Sequence, residues 1–257
     1  MAKPRGRGRA ESSSKLLRVA GWPAVSALFA AAPERVERLF FDARMKAHVN
    51  AFCAELARRR KPYRQVDAEE MERVAGSVMH GGIVALAEPR PVHLLDPAKV
   101  AALSAEWARS GRLLLLLDGV GNPHNLGAIA RTAAFFGVER MVLSDHPAQA
   151  GPSDASYRVA EGGLEHIELW RARQFARMLA ELRQHYLVVG AAAEGGQPLS
   201  VFRGGDKPIA LVLGNEERGL PVATLKACAK IVTIPGAGLI QSLNVAASAA
   251  ILLHGLG

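Results

Sequence analysis

The sequence predicts an α/β protein whose carboxy-terminal half is a parallel sheet covered by helices. From residue 112 onward, short apolar segments alternate with segments of helical spacing. Strands that are apolar on both faces are typical of parallel sheets, because helices cover both sides of such a sheet. A length of 257 residues with 49% apolar content is also enough to bury the core of one large domain or two modest ones.

The elements of this half follow one another in a regular order. The predicted strands lie at residues 113–117, 138–143, 186–190, 209–213 and 231–234, and the predicted helices at residues 126–136, 172–185 and 242–254. We therefore assign residues 112–257 to one domain.

A smaller α/β unit is predicted for residues 19–88. A short apolar strand runs from Val36 to Phe41, and helical spacing of apolar residues predicts a helix over residues 46–61. A second helix at residues 67–74 and a strand at residues 81–86 complete the unit.

Three prolines mark residues 89–111 as a linker between the two units: Pro89, Pro91 and Pro97. Within it, Val100, Leu103 and Trp107 recur at helical spacing. The linker is therefore predicted to contain a helix.

The basic charge of the chain is concentrated at its amino terminus. The whole chain has a net charge of +8, and residues 1–18 account for +5 of it. A basic surface attracts polyanions such as nucleic acid, but a Gly-, Ser- and Arg-rich segment is also typical of a disordered, solvated arm. Residues 1–18 are therefore predicted to be a disordered basic tail, and both interpretations of its role stay open.

The apolar segment at residues 19–32 has some features of a secretory signal, but Gly21 and Pro23 interrupt it. An organelle transit segment is an alternative for this Arg- and Ser-rich start. Cys53 and Cys228 show no metal-binding spacing, which fits a reducing compartment, and no apolar run reaches the length of a membrane helix. The expectation is a cytoplasmic protein without a metal site or a membrane partner.

Three polar, glycine-containing segments follow predicted strands of the carboxy-terminal half. They cover residues 118–127, 213–221 and 234–244, and Arg131 follows the first. In open parallel sheets, ligands bind beyond the carboxyl ends of the strands. These segments are thus the candidate functional site.

The first segment also permits a different interpretation. Gly119-Val120-Gly121 after a strand is similar to the start of a dinucleotide-binding loop, and Asp145 after the next strand could take the place of a ribose-binding acid. Pro123 stands at the third glycine position and has no amide hydrogen to offer. A dinucleotide-binding oxidoreductase is therefore the weaker alternative.

Taken together, the three segments resemble the signature motifs of the SpoU, or TrmH, class of the SPOUT methyltransferases. The N-x-G-x-x-x-R motif is met by Asn125, Gly127 and Arg131, and the G-x-E-x-x-G-L motif by Gly214, Glu216, Gly219 and Leu220. The third motif, I-P followed by Q-S-L-N-V, is met by Ile234, Pro235, Gln241, Ser242, Leu243, Asn244 and Val245. The amino-terminal unit also resembles the substrate-binding domain that often precedes this catalytic domain, on the cues of residues 21–25 and 80–85.

The resemblance implies an enzyme that methylates a ribose 2'-hydroxyl of ribosomal or transfer RNA with S-adenosylmethionine as the methyl donor. It also implies a homodimer and a deep trefoil knot, a rare exception to unknotted folding. The resemblance assigns the cofactor contacts to the second and third segments, namely to Leu213, Gly214, Ile234, Gly236, Gly238 and Leu243.

Five polar residues are the candidate catalytic set: Arg131, Asn125, Glu216, Ser242 and Asn244. We expect Arg131 to clamp the RNA phosphate and orient the 2'-hydroxyl, because a guanidinium stays protonated and is a poor base. Glu216 is expected to anchor Arg131 or a loop amide, and Ser242 to start the last helix.

Simpler interpretations of the same residues remain. Asn125 and Ser242 precede predicted helices, where helix capping would explain them. A protein that kept this fold and binds RNA without turnover is a further alternative, although the complete polar set disfavours it.

Overall fold

The computed structural model describes residues 16–202 and 205–257. The amino-terminal unit has four strands and three α-helices: β1 (Leu17–Ala20), α1 (Trp22–Ala31), β2 (Val36–Phe41), α2 (Asn50–Arg58), β3 (Tyr63–Gln65), α3 (Ala68–Ala75) and β4 (Ile83–Ala87). The strands form one sheet in the order β1-β4-β2-β3, in which only β2 and β3 are parallel.

Most of the basic tail predicted for residues 1–18 lies outside the described residues. Its last two residues belong to β1 instead, so the predicted end of the tail is wrong. The backbone N–H and the guanidinium of Arg18 both donate to the Asp154 carboxylate, each at 3.0 Å.

The apolar segment at residues 19–32 is part of this unit. It supplies the end of β1 and helix α1, and Val19, Val25 and Leu28 are fully buried. Burial accounts for its apolar composition, since α1 packs its apolar side chains into the core.

The carboxy-terminal half contributes the remaining elements: β5 (His93–Leu95), α4 (Pro97–Ala108), β6 (Leu114–Asp118), α5 (Pro123–Phe135), β7 (Arg140–Leu143), α6 (Asp154–Ala160), β8 (Glu168–Ala172), α7 (Phe175–Leu182), β9 (Leu187–Ala191), β10 (Ile209–Gly214), α8 (Val222–Ala227), β11 (Lys230–Val232) and α9 (Val245–Leu256). Its strands form a parallel sheet in the order β11-β9-β10-β6-β7-β8-β5. The predicted α/β class with a parallel sheet is confirmed. Strand order alone does not define how a chain threads, so the trefoil knot stays a prediction.

In the carboxy-terminal half, two of the predicted helices begin later than expected; in the amino-terminal unit, the helix predicted over residues 46–61 is shorter and spans Asn50–Arg58. The helix predicted from residue 172 begins at Phe175, because residues 168–172 form β8. The helix predicted from residue 242 begins at Val245, because the Asn244 side chain accepts from the N–H of Ala246 and caps it.

The linker predicted at residues 89–111 contains the expected helix, α4, but it is also part of the larger sheet. Its strand β5 pairs with β8, and Val100 and Trp107 of α4 are buried in one cluster with Met178 and Leu182 of α7. The segment therefore covers one face of the sheet as well as joining the two units.

One apolar core continues across the junction of the two units. Leu28 and Leu39 of the small unit belong to the same buried cluster as Leu126 and Tyr157 of the large one. Two adjacent glycines permit this close packing. A Cβ on Gly162 would lie 2.7 Å from the Ala27 Cβ, and one on Gly163 would lie 2.8 Å from the Arg131 Cα.

A buried ion pair spans the same junction. The Arg35 guanidinium donates to Glu165 Oε2 at 2.6 Å and to the carbonyl oxygen of Glu88 at 3.0 Å. The two paired side chains are 8% and 1% exposed.

Among the described residues, no helix is long and apolar enough to cross a membrane.

Candidate functional site

An open cleft of about 1300 Å³ lies at the carboxyl ends of β9, β10 and β11. All six residues predicted to contact a cofactor line it: Leu213, Gly214, Ile234, Gly236, Gly238 and Leu243. Because the strands are parallel, their carboxyl ends meet at one edge of the sheet and bring together segments that are distant in sequence.

The loop after β10 forms one wall of the cleft, and its shape requires glycine at residue 214. A Cβ on Gly214 would lie 2.5 Å from the backbone carbon of Gly219. The backbones of Asn215 and Gly219 exchange two hydrogen bonds of 3.0 Å, and the Asn215 side chain accepts from the N–H groups of Glu217 and Arg218. The loop is therefore a tight turn in which Glu216 is held at the rim.

The loop before α9 forms the opposite wall and is more open. A Cβ added to Gly236 or Gly238 would meet no atom within 4 Å. Leu239 and Ile240 are 90% and 72% exposed, and Ser242 also lines the cleft. Since Asn244 caps α9, the prediction that Ser242 starts this helix is wrong.

A chain of side-chain hydrogen bonds joins the three predicted segments. The Asn125 side chain donates to Glu216 Oε1 at 2.5 Å and accepts from Asn244 Nδ2 at 3.2 Å. Asn215 adds a bond from its Nδ2 to the carbonyl oxygen of Gly119 at 2.9 Å. The structure thus brings together Asn125, Glu216 and Asn244, and it adds Asn215, which the sequence analysis did not select.

The capping interpretation of Asn125 is wrong. Helix α5 begins at Pro123, and the side chain that accepts from the N–H of His124 belongs to Asn122. The Asn125 side chain lies inside the first turn and is free to bond across to Glu216.

Arg131 lies further along α5 and is not among the residues that line the cleft. Its guanidinium pairs with Glu161 Oε1 at 2.9 Å, and the two side chains are 58% and 46% exposed. Glu216 was expected to anchor Arg131 or a loop amide. It accepts from the side-chain amides of Asn125 and Asn215, so the amide alternative holds and the Arg131 alternative is wrong. Glu161 is a residue that the sequence analysis missed, since its contact joins positions 30 residues apart on different elements.

In the first segment, residues 118–127, backbone groups are already hydrogen-bonded within the protein. The backbone N–H of Val120 donates to Gln149 Oε1 at 3.1 Å, and Gln149 donates back to the Val120 carbonyl oxygen at 3.2 Å. Asp145 accepts from the N–H groups of Gln174 and Phe175 at the start of α7. The interpretation of Asp145 as a ribose-binding acid is wrong, and the Val120 N–H is already used.

The cysteine near this edge of the sheet is not suited to nucleophilic chemistry. Burial, followed by the nearby Asp118 carboxylate, raises the pKa of the Cys228 thiol to about 11. The thiol therefore stays protonated near neutral pH. Within the described ranges, no group of three or more His, Cys, Asp and Glu residues is placed to hold a metal ion.

Two family models match the chain. The SpoU rRNA Methylase family matches residues 112–254, and the RNA 2'-O ribose methyltransferase substrate binding family matches residues 18–93. The predicted resemblance of both halves is thereby confirmed.

Two relatives match this chain over nearly the full length of both proteins. The 23S rRNA (guanosine-2'-O-)-methyltransferase RlmB of Acinetobacter baylyi is 32% identical, over 91% of this chain and 94% of its own. RlmB of Ralstonia nicotianae is 35% identical, over 94% of both chains.

Solved structures share the fold. A TrmH-family protein from Porphyromonas gingivalis has a TM-score of 0.70 and 26% identity, with 94% of this chain and 89% of that chain covered. An rRNA methyltransferase from Sinorhizobium meliloti has a TM-score of 0.77 at 22% identity, with 95% and 87% covered.

Proposed function

Because this chain belongs to the SpoU rRNA methylase family, it is an S-adenosylmethionine-dependent RNA 2'-O-methyltransferase, and we propose that its substrate is ribosomal RNA. The near full-length relatives named for ribosomal RNA support this choice over transfer RNA. Within this protein, the main support for the proposal is the series of side-chain hydrogen bonds from Asn244 through Asn125 to Glu216 beside the cleft.

The cleft fits the cofactor that the family uses. S-adenosylmethionine supplies a methyl group on a positively charged sulfur. Gly236 and Gly238 leave open space beside the backbone, so main-chain groups can approach an adenine or ribose edge, while Leu213, Ile234 and Leu243 offer apolar contact. Gly214 permits the tight turn that holds Glu216 beside the cleft.

Methyl transfer requires the ribose oxygen, the methyl carbon and the sulfur to lie nearly in line, so positioning accounts for much of the catalysis. The O–CH₃ bond forms as the S–CH₃ bond breaks, and the 2'-hydroxyl loses its proton. Opposite charges on oxygen and sulfur cancel during this step, and a cleft that excludes water favours it.

Arg131 is proposed to bind the RNA phosphate with two parallel N–H donors and to hold the 2'-hydroxyl in place. The bound phosphate is the proposed acceptor of the proton. Asn125, Asn244 and Glu216 are proposed to fix the loops around the reacting ribose, and Ser242 to hydrogen-bond at the cleft wall where it lies.

We propose that the two units have different roles, catalysis and RNA binding. Residues 112–257 would form the catalytic domain, and residues 19–88 would bind the RNA substrate. The family descriptions of the matched regions support this division. We also propose that the protein acts in the cytoplasm, because its near full-length relatives are named for methylation of ribosomal RNA.

A homodimer is proposed through the exposed apolar surface formed by the end of α5 and by α9. Phe135 and Phe136 are 83% and 38% exposed, and Ile251 is 40% exposed. The Phe136 ring lies 5.9 Å from the His254 ring, so the two helices meet at this surface. Exposed apolar patches of this kind mark contact sites.

The test is transfer of labelled methyl groups to total RNA from a strain that lacks the protein, followed by mapping of linkages that resist alkali. A 2'-O-methyl group blocks alkaline cleavage because the 2'-hydroxyl is the attacking group. We expect an alkali-resistant label in ribosomal RNA. Glu216→Ala should lose most of the label and Glu217→Ala should keep it, since Glu217 is exposed. Label on a base, or only in transfer RNA, would contradict the proposal.

A further inference from the structure

An aromatic cluster lies on the amino-terminal unit, outside the cleft and its loops. It consists of Trp22 at the start of α1, His48 before α2 and Phe52 within α2. We propose that this aromatic cluster stacks an unpaired base of the RNA, close to the ribose that is methylated. The inference rests on the proposed function and adds a subsite for substrate recognition.

The rings form a stack with one buried and one exposed end. Phe52 stacks on Phe29 with centroids 4.1 Å apart and planes 9° apart, and Phe29 is only 8% exposed. Trp22 stacks on Phe52 at 5.4 Å and 27°, and His48 meets Trp22 edge-on at 5.9 Å. Trp22 is 38% exposed and His48 is exposed. The buried end fixes the rings, and the exposed end offers an aromatic surface.

The surroundings of the cluster suit a nucleotide. Arg44 and Lys46 are exposed in the segment that leads from β2 to His48, and the Arg44 side chain is 77% exposed although it pairs with Asp42. These cations can reach a phosphate while a ring holds the base. Aromatic stacking beside cationic groups is the usual way in which proteins bind single-stranded nucleic acid.

An exposed apolar loop precedes β4 and lies at the end of the sheet where β1 leads into Trp22. Val78 and Met79 are 70% and 72% exposed. The loop leads directly into a contact with the start of α1, since the N–H of Gly21 donates to the Ile83 carbonyl oxygen at 3.0 Å and Gly81 lies beside Gly21. The apolar loop thus adds a second contact surface for a base.

Close packing connects the aromatic cluster to the catalytic arginine. The carbonyl oxygen of Pro23, next to Trp22, lies 3.1 Å from the position of a Cβ on Gly162. The following residue, Gly163, packs equally closely on the backbone of Arg131. Gly162 and Gly163 therefore link the two surfaces through close backbone packing, and the proposal is that one RNA strand contacts both.

Binding of a single-stranded adenosine 12-mer and of a 12-base-pair RNA duplex tests the proposal, with tryptophan fluorescence as the readout. Trp107 is 4% exposed and the partly buried Trp170 packs against it, whereas Trp22 is 38% exposed, so stacking should quench mainly Trp22. We expect quenching by the single strand, much less by the duplex, and its loss in Trp22→Phe. Trp22→Ala should weaken binding of the single strand by about five-fold to a hundred-fold.

Methylation kinetics with ribosomal RNA separate recognition from catalysis. Trp22→Ala should raise KM and leave kcat at saturating RNA and S-adenosylmethionine binding nearly unchanged, while Trp22→Phe should restore KM. Tyr63→Ala is the matched control, because Tyr63 is a 44% exposed aromatic residue on the edge strand β3 of the same sheet. It should behave like the wild type.

The possible outcomes distinguish this inference from the proposed function. An unchanged KM for Trp22→Ala, or equal binding of duplex and single strand, overturns the subsite while methylation persists. A shift of Trp22→Ala from dimer to monomer in sedimentation would identify the cluster as an interface between copies and also overturns it. If the wild type methylates no RNA but Trp22 is still quenched by the single strand, the proposed function fails and the subsite stands.

Discussion

The segment at residues 161–165 supplies two glutamates that pair with arginines in very different surroundings. Glu161 pairs with Arg131 at 2.9 Å, and the two side chains are 46% and 58% exposed. Glu165 pairs with Arg35 at 2.6 Å, and the two side chains are 1% and 8% exposed. Similar distances thus accompany opposite degrees of burial.

The difference separates a structural arginine from one that can change its partner. An exposed ion pair contributes little to stability, because water and salt screen it. Breaking a buried pair leaves an uncompensated charge in the core and is costly. We therefore propose that Arg131 exchanges Glu161 for an RNA phosphate, whereas Arg35 connects the two units through its buried pair with Glu165.

The largest expected effect follows from Arg35→Ala. This change leaves the buried Glu165 with only the more distant Arg90, 3.8 Å away, as a partner, and should lower the free energy of unfolding by up to about 3–5 kcal/mol. Urea unfolding measures it. The double variant Arg35→Met with Glu165→Leu should recover much of this loss, because no charge is then buried alone. A loss below about 1 kcal/mol in the single variant would mean that the buried pair is not structural.

An intermediate effect is expected for Arg131→Lys. Lysine keeps the charge but loses the planar pair of donors, so kcat should fall about 10-fold to 100-fold, or about 1.4 to 2.7 kcal/mol, with the unfolding free energy nearly unchanged. Arg112→Lys is the matched control, since Arg112 forms a similar exposed pair with Glu139 at 3.0 Å. Full turnover in Arg131→Lys would contradict the two-point clamp.

The smallest effect is expected for Glu161→Gln. Removing this carboxylate frees the guanidinium from its competitor, so KM for RNA should fall by roughly two-fold to five-fold, and stability should change by less than about 1 kcal/mol. Glu139→Gln serves as the control, and steady-state methylation measures both. A rise in KM would instead show that Glu161 orients Arg131 for binding.

The central strands were predictable because they are apolar on both faces, and every residue of β6 and β10 is buried. Strand β8 was missed because Glu168 and Arg171 interrupt its apolar pattern, and its end was interpreted as the start of a helix. Short β5 at the sheet edge gave no comparable signal.

The site was predictable to the extent that it follows the ends of strands. Gly214, Gly236 and Leu243 line the cleft because parallel strands end at one edge. Contacts such as Arg131 with Glu161, or Asn215 with Gly119, depend on packing between distant segments. No local pattern encodes such pairs. Asn215 directly precedes Glu216 in the motif, and this adjacency was its one available signal.

The adjacent glycines 162 and 163 limit how this architecture can recombine with that of its relatives. Gly162 packs against α1 and Gly163 packs against α5, and neither position has room for a side chain. In a chimaera joined within the linker, α1 would come from one parent and residues 161–165 from the other, so the two surfaces in contact would not have evolved together. Exchange of RNA specificity between such enzymes therefore requires both sides of this contact from the same parent.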